Sequence, residues 1–511
     1  MDRAPETVDC DVAVLGGGGS GLAAAIEAAV AGAHVVVIDK ADLLRGSTGR
    51  SVGAIAASRT PDQRRLGVAD SPEQHFDDYR KLSGDLAARE SEELARLLVD
   101  QAAESIAWLR SLGVELFGPV EGPGHSVPRL HNALPGSRSY IHHLHKRARR
   151  LGVTILLSTE AETLVKAGDA VRQVRARRSD GAELIVRARR AIVLATGDFS
   201  ASVEMRRTYI SDRVAGFLPV NPDATGDAQR MALAVGAQML NAEVFDLPTM
   251  RLAPPPAKGW FGLLQELPPG RALTLPIKWG LRYVPGKLIR PLMLSFVTTY
   301  LSPREALFDS GAILLDRSGS WRPGGHESIS LTVAELGADG GYMVGDHRLF
   351  EQFSGGENFV AMAPGVARAY LPDFRRSRRD VYAEADSLAD LAAKIGVPAA
   401  TIRSSVDQAN SRAAERSVAP IEVAPFFALG PIRSHLIQTG GGLKVSARME
   451  VLTQGGDPIP GLYAAGNAGQ SGLALFGYGH HLGWAFTSGR IAGRNAAHAR
   501  PSGQVAEMAY A

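Results

Sequence analysis

The sequence predicts an α/β fold in which a parallel-sheet domain is interrupted by a second, α+β domain. Three observations predict it. A strand, glycine turn, helix and second strand follow one another between Asp11 and Lys40. Composition then changes near residue 247, where prolines become frequent and apolar runs shorten. Glycine-rich strand ends return after Pro425-Phe426-Phe427. At 511 residues the chain is also too long for one compact core. Residues 1–247 and 429–511 are therefore assigned to one domain and 248–428 to the inserted one.

The first unit is the most informative. Asp11 to Leu15 is a short apolar run suited to a buried parallel strand. Gly16, Gly18 and Gly21 satisfy G-x-G-x-x-G, with Gly19 and Ser20 between them. A helix is expected from Leu22 to Ala31, then Gly32, then a strand from His34 to Ile38 that ends on Asp39 and Lys40. Gly16 allows the tight turn, Gly18 lets backbone N–H groups approach a pyrophosphate, and Gly21 permits close packing of helix on strand. Asp39 is placed to accept hydrogen bonds from a ribose. This is a Rossmann-like dinucleotide site.

Composition narrows the function. Net charge is 56 − 53 = +3, too small to argue for nucleic acid. Cys10 is the only cysteine, which excludes internal disulfides, cysteine-ligated iron–sulfur clusters and attached haem. Electrons must come from, or leave to, an external donor or acceptor. Met1 to Asp9 has no apolar core of the signal-peptide kind, and no uncharged run reaches the roughly 20 residues of a spanning helix. A cytoplasmic location is expected.

Further along, Ser47, Thr48, Gly49, Arg50, Ser51 and Gly53 lie in a hydroxyl-rich turn suited to the far end of a cofactor. Residues 73–112 are expected to be helical. Another helix, Tyr140 to Arg150, carries His142, His143 and His145 among four cations, which fits a solvated basic face rather than a metal site. No metal is expected. Val171–Arg178 and Glu183–Arg189 are expected as a hairpin, and Ala191–Gly197 as a separate buried strand. From Leu267 to Pro303 there are five Lys or Arg, no Asp or Glu, and interleaved aromatics. That stretch is suited to peripheral contact with an anionic membrane or to an apolar channel. Residues 384–416 are expected as a helix pair split at Gly396-Val397-Pro398.

Eight blocks resemble one family: GGGGSG with Asp39, GSTGRS at 46–51, ATGDFSA at 195–201, NPDATGD at 221–227, GAILLDRSG at 311–319, TGGGL at 439–443, PGLYAAGNAG at 460–469 and SGRIAG at 488–493. In this order they resemble the FAD flavoproteins of the fumarate reductase / 3-ketosteroid Δ1-dehydrogenase superfamily over nearly the whole chain. The resemblance implies an FAD-binding domain of the glutathione-reductase type interrupted by a capping domain. It also implies FAD contacts from Gly16, Gly18, Gly19, Ser20, Gly21, Asp39, Lys40, the 47–53 turn, Ala161, Thr196, Gly197, Asp227, Gly466, Asn467, His481 and Leu482. The turn holds no histidine, so the FAD is expected to be noncovalent.

Within the superfamily, Gln438 and Phe476 stand where fumarate reductases carry a dicarboxylate-clamping histidine and arginine. Asn467 and the spacing of Gly477, Gly479 and Gly483 are closer to the ketosteroid dehydrogenases, although Leu475 occupies their tyrosine position. There a backbone N–H, here that of Gly483, polarises the substrate ketone, and Tyr478, His480 and His481 are the nearby proton-transfer candidates. The resemblance thus implies α,β-dehydrogenation or enone reduction of an apolar, steroid-like or alicyclic carbonyl compound. Two alternatives stay open: reduction of a polar unsaturated acid, and a non-catalytic flavin protein acting through a partner or a membrane.

Overall fold

A computed structural model describes residues 5–254, 267–284, 303–324, 327–363 and 367–501. Its larger sheet has the strand order 450–452, 458–464, 183–194, 6–15, 35–38, 154–156, with a hairpin of 159–167 and 170–178 attached to the 183–194 strand. The Glu6–Leu15 strand pairs in parallel with both neighbours, Leu15 opposite Ile38 on one side and Leu194 on the other. Val12 to Leu15 are wholly buried, because helices or loops cover both faces. This is why the run is apolar throughout rather than alternating.

Helix Gly19–Val30 lies on this sheet, beginning three residues before the sequence-based start. The terminal helix, His480–Ala497, packs across it. A methyl at Gly489 would lie 3.0 Å from Ser20 Cα, and one at Gly493 would lie 2.8 Å from Ala24 Cα. Only glycine lets these backbones approach so closely. The Gly466 N–H donates to Ser488 Oγ at 2.9 Å, and Trp484 Nε1–H donates to the Gly466 carbonyl at 3.2 Å. The late segments are thereby fastened to the first β-α-β unit.

The expected helix over 73–112 is two helices, Pro72–Ser83 and Glu92–Ser111, separated at Gly84 (φ +54°). The hairpin arm and the strand expected after it are one strand, Glu183–Leu194. Its first half pairs antiparallel with the hairpin, while its whole length pairs in parallel with Glu6–Leu15. That second pairing carries the strand past Arg189 and Arg190, where its register shifts between Cys10–Ala188 and Val12–Ala191. The expected helix pair is Leu388–Ile395 and Ala399–Ser411, divided at Gly396 (φ +72°).

A second sheet of six strands is built around Phe426–Leu436, which pairs with 218–219, 249–252, 341–345 and 382–385. This strand runs through the domain junction placed at 428. Its side chains alternate: Ile432, Ser434 and Leu436 are buried, whereas Arg433 and His435 share the half-buried face. Part of the basic segment forms helix Arg271–Tyr283, with Leu275, Trp279 and Tyr283 exposed at i, i+4 and i+8 and Lys278 paired with Glu115 at 2.6 Å. Lys287, Leu288, Ile289, Arg290, Leu292, Met293 and Phe296 lie outside the described residues. Among the described residues no helix is long and apolar enough to cross a membrane.

Candidate active site

A groove opens where the parallel strands end. Gly16, Gly18, Gly19, Ser20, Asp39, Lys40, Ser47, Thr48, Ala161, Thr196, Gly197, Asp227, Gly466 and Asn467 line it together. Gly21 does not line it: its α-carbon faces the Gly16 carbonyl, where any side chain would overlap. Gly18 is the opposite case, with φ −73° and open space within 4 Å of where a Cβ would stand. The N–H groups of Gly18, Ser20 and Gly21 make no hydrogen bond among the described residues. Those free donors at a helix start, without a side-chain cap, form an anion cradle. Asp39 accepts from Gly17 N–H at 2.6 Å and Ala41 N–H at 2.9 Å, one on each oxygen, so each oxygen keeps a lone pair for a hydroxyl. Burial raises the Asp39 pKa against those two bonds.

The walls are fixed by side chains from distant segments. Lys40 Nζ pairs with Asp227 at 2.9 Å and also donates to Thr225. Arg50 pairs with Asp223 at 3.0 Å, and Asn221 Nδ2 donates to Ser47 Oγ at 3.0 Å. Arg50 therefore braces the wall from outside the groove lining, as do Gly49, Ser51 and Gly53 through turn hydrogen bonds. Asp198 accepts from Ser200 and from Thr439 N–H, tying the 195–201 segment to the 439–443 segment. Asn467 Nδ2–H donates to Gln438 Oε1 at 2.8 Å beside that tie. No His, Cys or Tyr lines the groove.

At the start of the terminal helix, Gly479 adopts φ +86° and its carbonyl accepts from Ala56 N–H at 3.3 Å. The N–H groups of His481 and Leu482 have no partner among the described residues. The Gly483 N–H is committed to the Gly479 carbonyl at 3.1 Å. The three proton-transfer candidates separate. Tyr478 is 43% exposed, and the nearby Asp246 carboxylate adds to burial in raising its hydroxyl pKa. His480 is buried against His75 and His125, and His481 holds a buried Nε2 without a partner. Burial lowers both of their pKa values, that of His481 to about 4. Leu475 is core.

Beside Tyr478 the second sheet supplies residues that sequence reading missed. Asp246 is half-buried, its N–H donates to the Gln438 carbonyl at 3.2 Å, and burial pushes its carboxyl pKa up to about 7. Arg251 stands directly opposite Arg433 on the paired strand, and Thr249 opposite His435, all on the half-buried face. Arg251 Nε, Arg433 Nε and His435 Nδ1 are buried without partners, and neither guanidinium has a carboxylate partner among the described residues. Burial first, then the two arginine charges, lowers the His435 pKa to about 4. Like charges opposite one another destabilise a sheet, and no acid among the described residues offsets this pair.

Groove and fold together fit a flavoprotein: a dinucleotide cradle at the strand ends of a parallel sheet. Residues 11–476 match the family described as FAD binding domain, and the chain belongs to that family. It is 27% identical to the NADH:fumarate oxidoreductase of Klebsiella pneumoniae, over 91% of this chain and 45% of that protein. It is 27% identical to the urocanate reductase of Eggerthella lenta, over 97% of this chain and 76% of that protein. The chain thus spans about half the length of the first relative and three quarters of the second. Among solved structures it resembles the open conformation of a flavocytochrome c3 fumarate reductase, with TM-score 0.72, 21% identity, and coverage of 97% of this chain and 79% of that one.

Proposed function

We propose that this chain transfers hydrogen across a C=C bond conjugated to a carboxylate, with Arg251 and Arg433 holding the carboxylate and Asp246, beside Tyr478, moving the proton. The observation that carries this reading is the opposed arginine pair on the half-buried face, with no carboxylate partner among the described residues. Two guanidinium groups without a carboxylate partner among the described residues are suited to charge-assisted binding of an anion. They differ in place from the clamp positions at Gln438 and Phe476, so the missing clamp does not require an apolar substrate.

FAD, when bound, supplies or accepts the two electrons as hydride. Gly18, Ser20 and Gly21 would hold its pyrophosphate, Asp39 its ribose, and the free N–H groups of His481 and Leu482 the negative end of its ring system. No His, Cys or Tyr among the described residues lines the groove, which supports noncovalent binding. In the reductive direction hydride reaches the carbon β to the carboxylate and a proton from the Asp246 carboxyl reaches the α carbon. With its pKa near 7, Asp246 is an acid poised at physiological pH. Reducing equivalents come from an external donor. The relatives named for reduction of fumarate and urocanate support the polar substrate.

The second reading keeps the apolar enone. It is favoured by the uncharged Gln438–Asn467 pair where fumarate reductases place charged groups. The exposed Leu275, Trp279 and Tyr283 on a basic helix support peripheral membrane contact as part of that reading. Anaerobic photoreduction followed by an unsaturated monocarboxylic acid or by an uncharged enone separates the two. Reoxidation by the acid, weakened in Arg251→Met, supports the carboxylate; reoxidation by the enone alone overturns it.

A further inference from the structure

Three histidines from distant parts of the chain converge beneath the Gly477–Gly479 turn. His75 comes from helix Pro72–Ser83, His125 from the loop after strand Leu116–Val120, and His480 opens the terminal helix. His75 is 0% and His480 1% exposed. One ring nitrogen of each lies within 4.8 Å of those of the other two. His75 Nε2 and His480 Nε2 are 3.1 Å apart.

The proton positions follow from the partners. His125 Nε2 is 2.9 Å from the Tyr478 carbonyl, which can only accept, so Nε2 carries the proton and Nδ1 is a lone pair. That Nδ1 is buried without a partner. Between His75 and His480 at most one proton fits, so one of the facing Nε2 atoms is a lone pair too. The Nδ1 atoms of both rings have no hydrogen-bond partner. Core histidines are ordinarily held by a carboxylate or a carbonyl; here only His125 has such a partner, and His75 and His480 hold one another. Burial, the first cause for each, lowers all three pKa values and keeps the rings neutral, the form that ligates metal.

We propose that His75, His125 and His480 form a binding site for a divalent transition-metal ion of the zinc type. Zn–N bonds of about 2.0–2.1 Å in a tetrahedral site put ligand nitrogens roughly 3.3 Å apart, close to the His75–His480 separation. Imidazole nitrogen selects zinc, copper, nickel or cobalt over magnesium and calcium, which take oxygen ligands. The His125 Nε2–H bond to a backbone carbonyl is the outer-shell contact that orients a ligating imidazole. The neighbouring acids are already engaged: Asp78 by Arg129 and Ser126, and Glu90 by Tyr79 and the Ala474 N–H. The ion therefore has three protein ligands and one open position. It would tie together segments 405 positions apart and fix the turn that carries Tyr478.

The test uses the FAD-loaded full chain, stripped by chelator and titrated with Co²⁺. Ligand-field bands on the long-wavelength side of the flavin absorption should rise to one Co²⁺ per chain and be displaced by Zn²⁺. Zinc should also raise the melting temperature of the native protein. His75→Ala and His125→Ala should each abolish the bands and the zinc-dependent rise, while His142→Ala, outside the cluster, should keep both. If His75→Ala does not fold, His125→Gln at the cluster's more exposed edge gives the same reading. Absence of the bands in the native protein, or their survival in both cluster variants, overturns the proposal.

Discussion

The cofactor groove and the arginine-bearing face lie side by side, yet they are made by different means. The groove is largely backbone: free N–H groups at Gly18, Ser20 and Gly21, a turn at Gly16, and one carboxylate at Asp39. The arginine-bearing face is side chains alone, with Arg251, Arg433 and His435 brought together by strand pairing and Asp246 in the segment before strand Thr249–Leu252. A backbone site constrains which residues are tolerated, and so leaves a spacing that can be read. A side-chain site leaves only residue identities scattered along the chain. This contrast can be broken or sharpened by substitution.

The largest effect belongs to Gly21. A valine there would overlap the Gly16 carbonyl, so Gly21→Val should yield colourless, inactive protein, checked by the flavin absorption after purification. Asp246→Asn should retain flavin and lower kcat for acid reduction ~10²–10⁴-fold. The sign of its pH dependence is fixed. Asp246 binds a proton in the folded state up to about pH 7, so native reductive turnover falls as pH rises through that value, and the variant loses this limb. Stability follows the same direction: a carboxyl raised by burial favours the folded state at low pH and loses that advantage between its unfolded pKa, about 4, and about 7. Asp246→Asn should flatten that part of a melting-temperature profile.

Arg251→Met and Arg433→Met should each reduce kcat/KM for unsaturated acids by about tenfold to a hundredfold, the range given by one or two steps of 1.4 kcal/mol. Flavin content should stay constant, and the melting temperature should hold or rise as the opposed charges are separated. A drop in stability with unchanged kinetics would make the pair structural. Gly18→Ala should have the smallest effect. Its backbone angle suits any residue and nothing lies near the added methyl, so folding is unchanged. Flavin affinity alone should fall a few-fold, well under the tenfold step of 1.4 kcal/mol. Gly18 and Gly21 thus separate the glycine that the ligand requires from the glycine that the fold requires.

The strand, glycine turn, helix and second strand were legible because Asp11–Asp39 is a local unit with its own periodicity. The second-sheet cluster was not. Arg433-Ser434-His435 does show strand alternation, a signal present in the sequence. The pairing that puts Arg251 opposite Arg433 depends on a register across some 180 positions, which no local pattern records. Asp246 gave no signal either, because its raised pKa comes from burial by distant segments. The helical stretch expected over 73–112 is divided at Gly84, whose positive φ ends the first helix before the apolar stripe of the second begins.

The contact of Gly489 and Gly493 with the first helix also sets a timetable for making the protein. Some 450 positions separate the end of helix Gly19–Val30 from the start of the helix that covers it. At ~5–20 residues per second, the first helix leaves the ribosome roughly 20–90 s before its cover is synthesised. Throughout that interval Ser20, Ala23 and Ala24 present a small-residue track with nothing on it. A nascent chain cut short before Gly489 would carry the complete glycine fingerprint and still be unable to close the domain around it. Closure of the domain around the fingerprint thereby waits until the helix that carries Gly489 and Gly493 has been made.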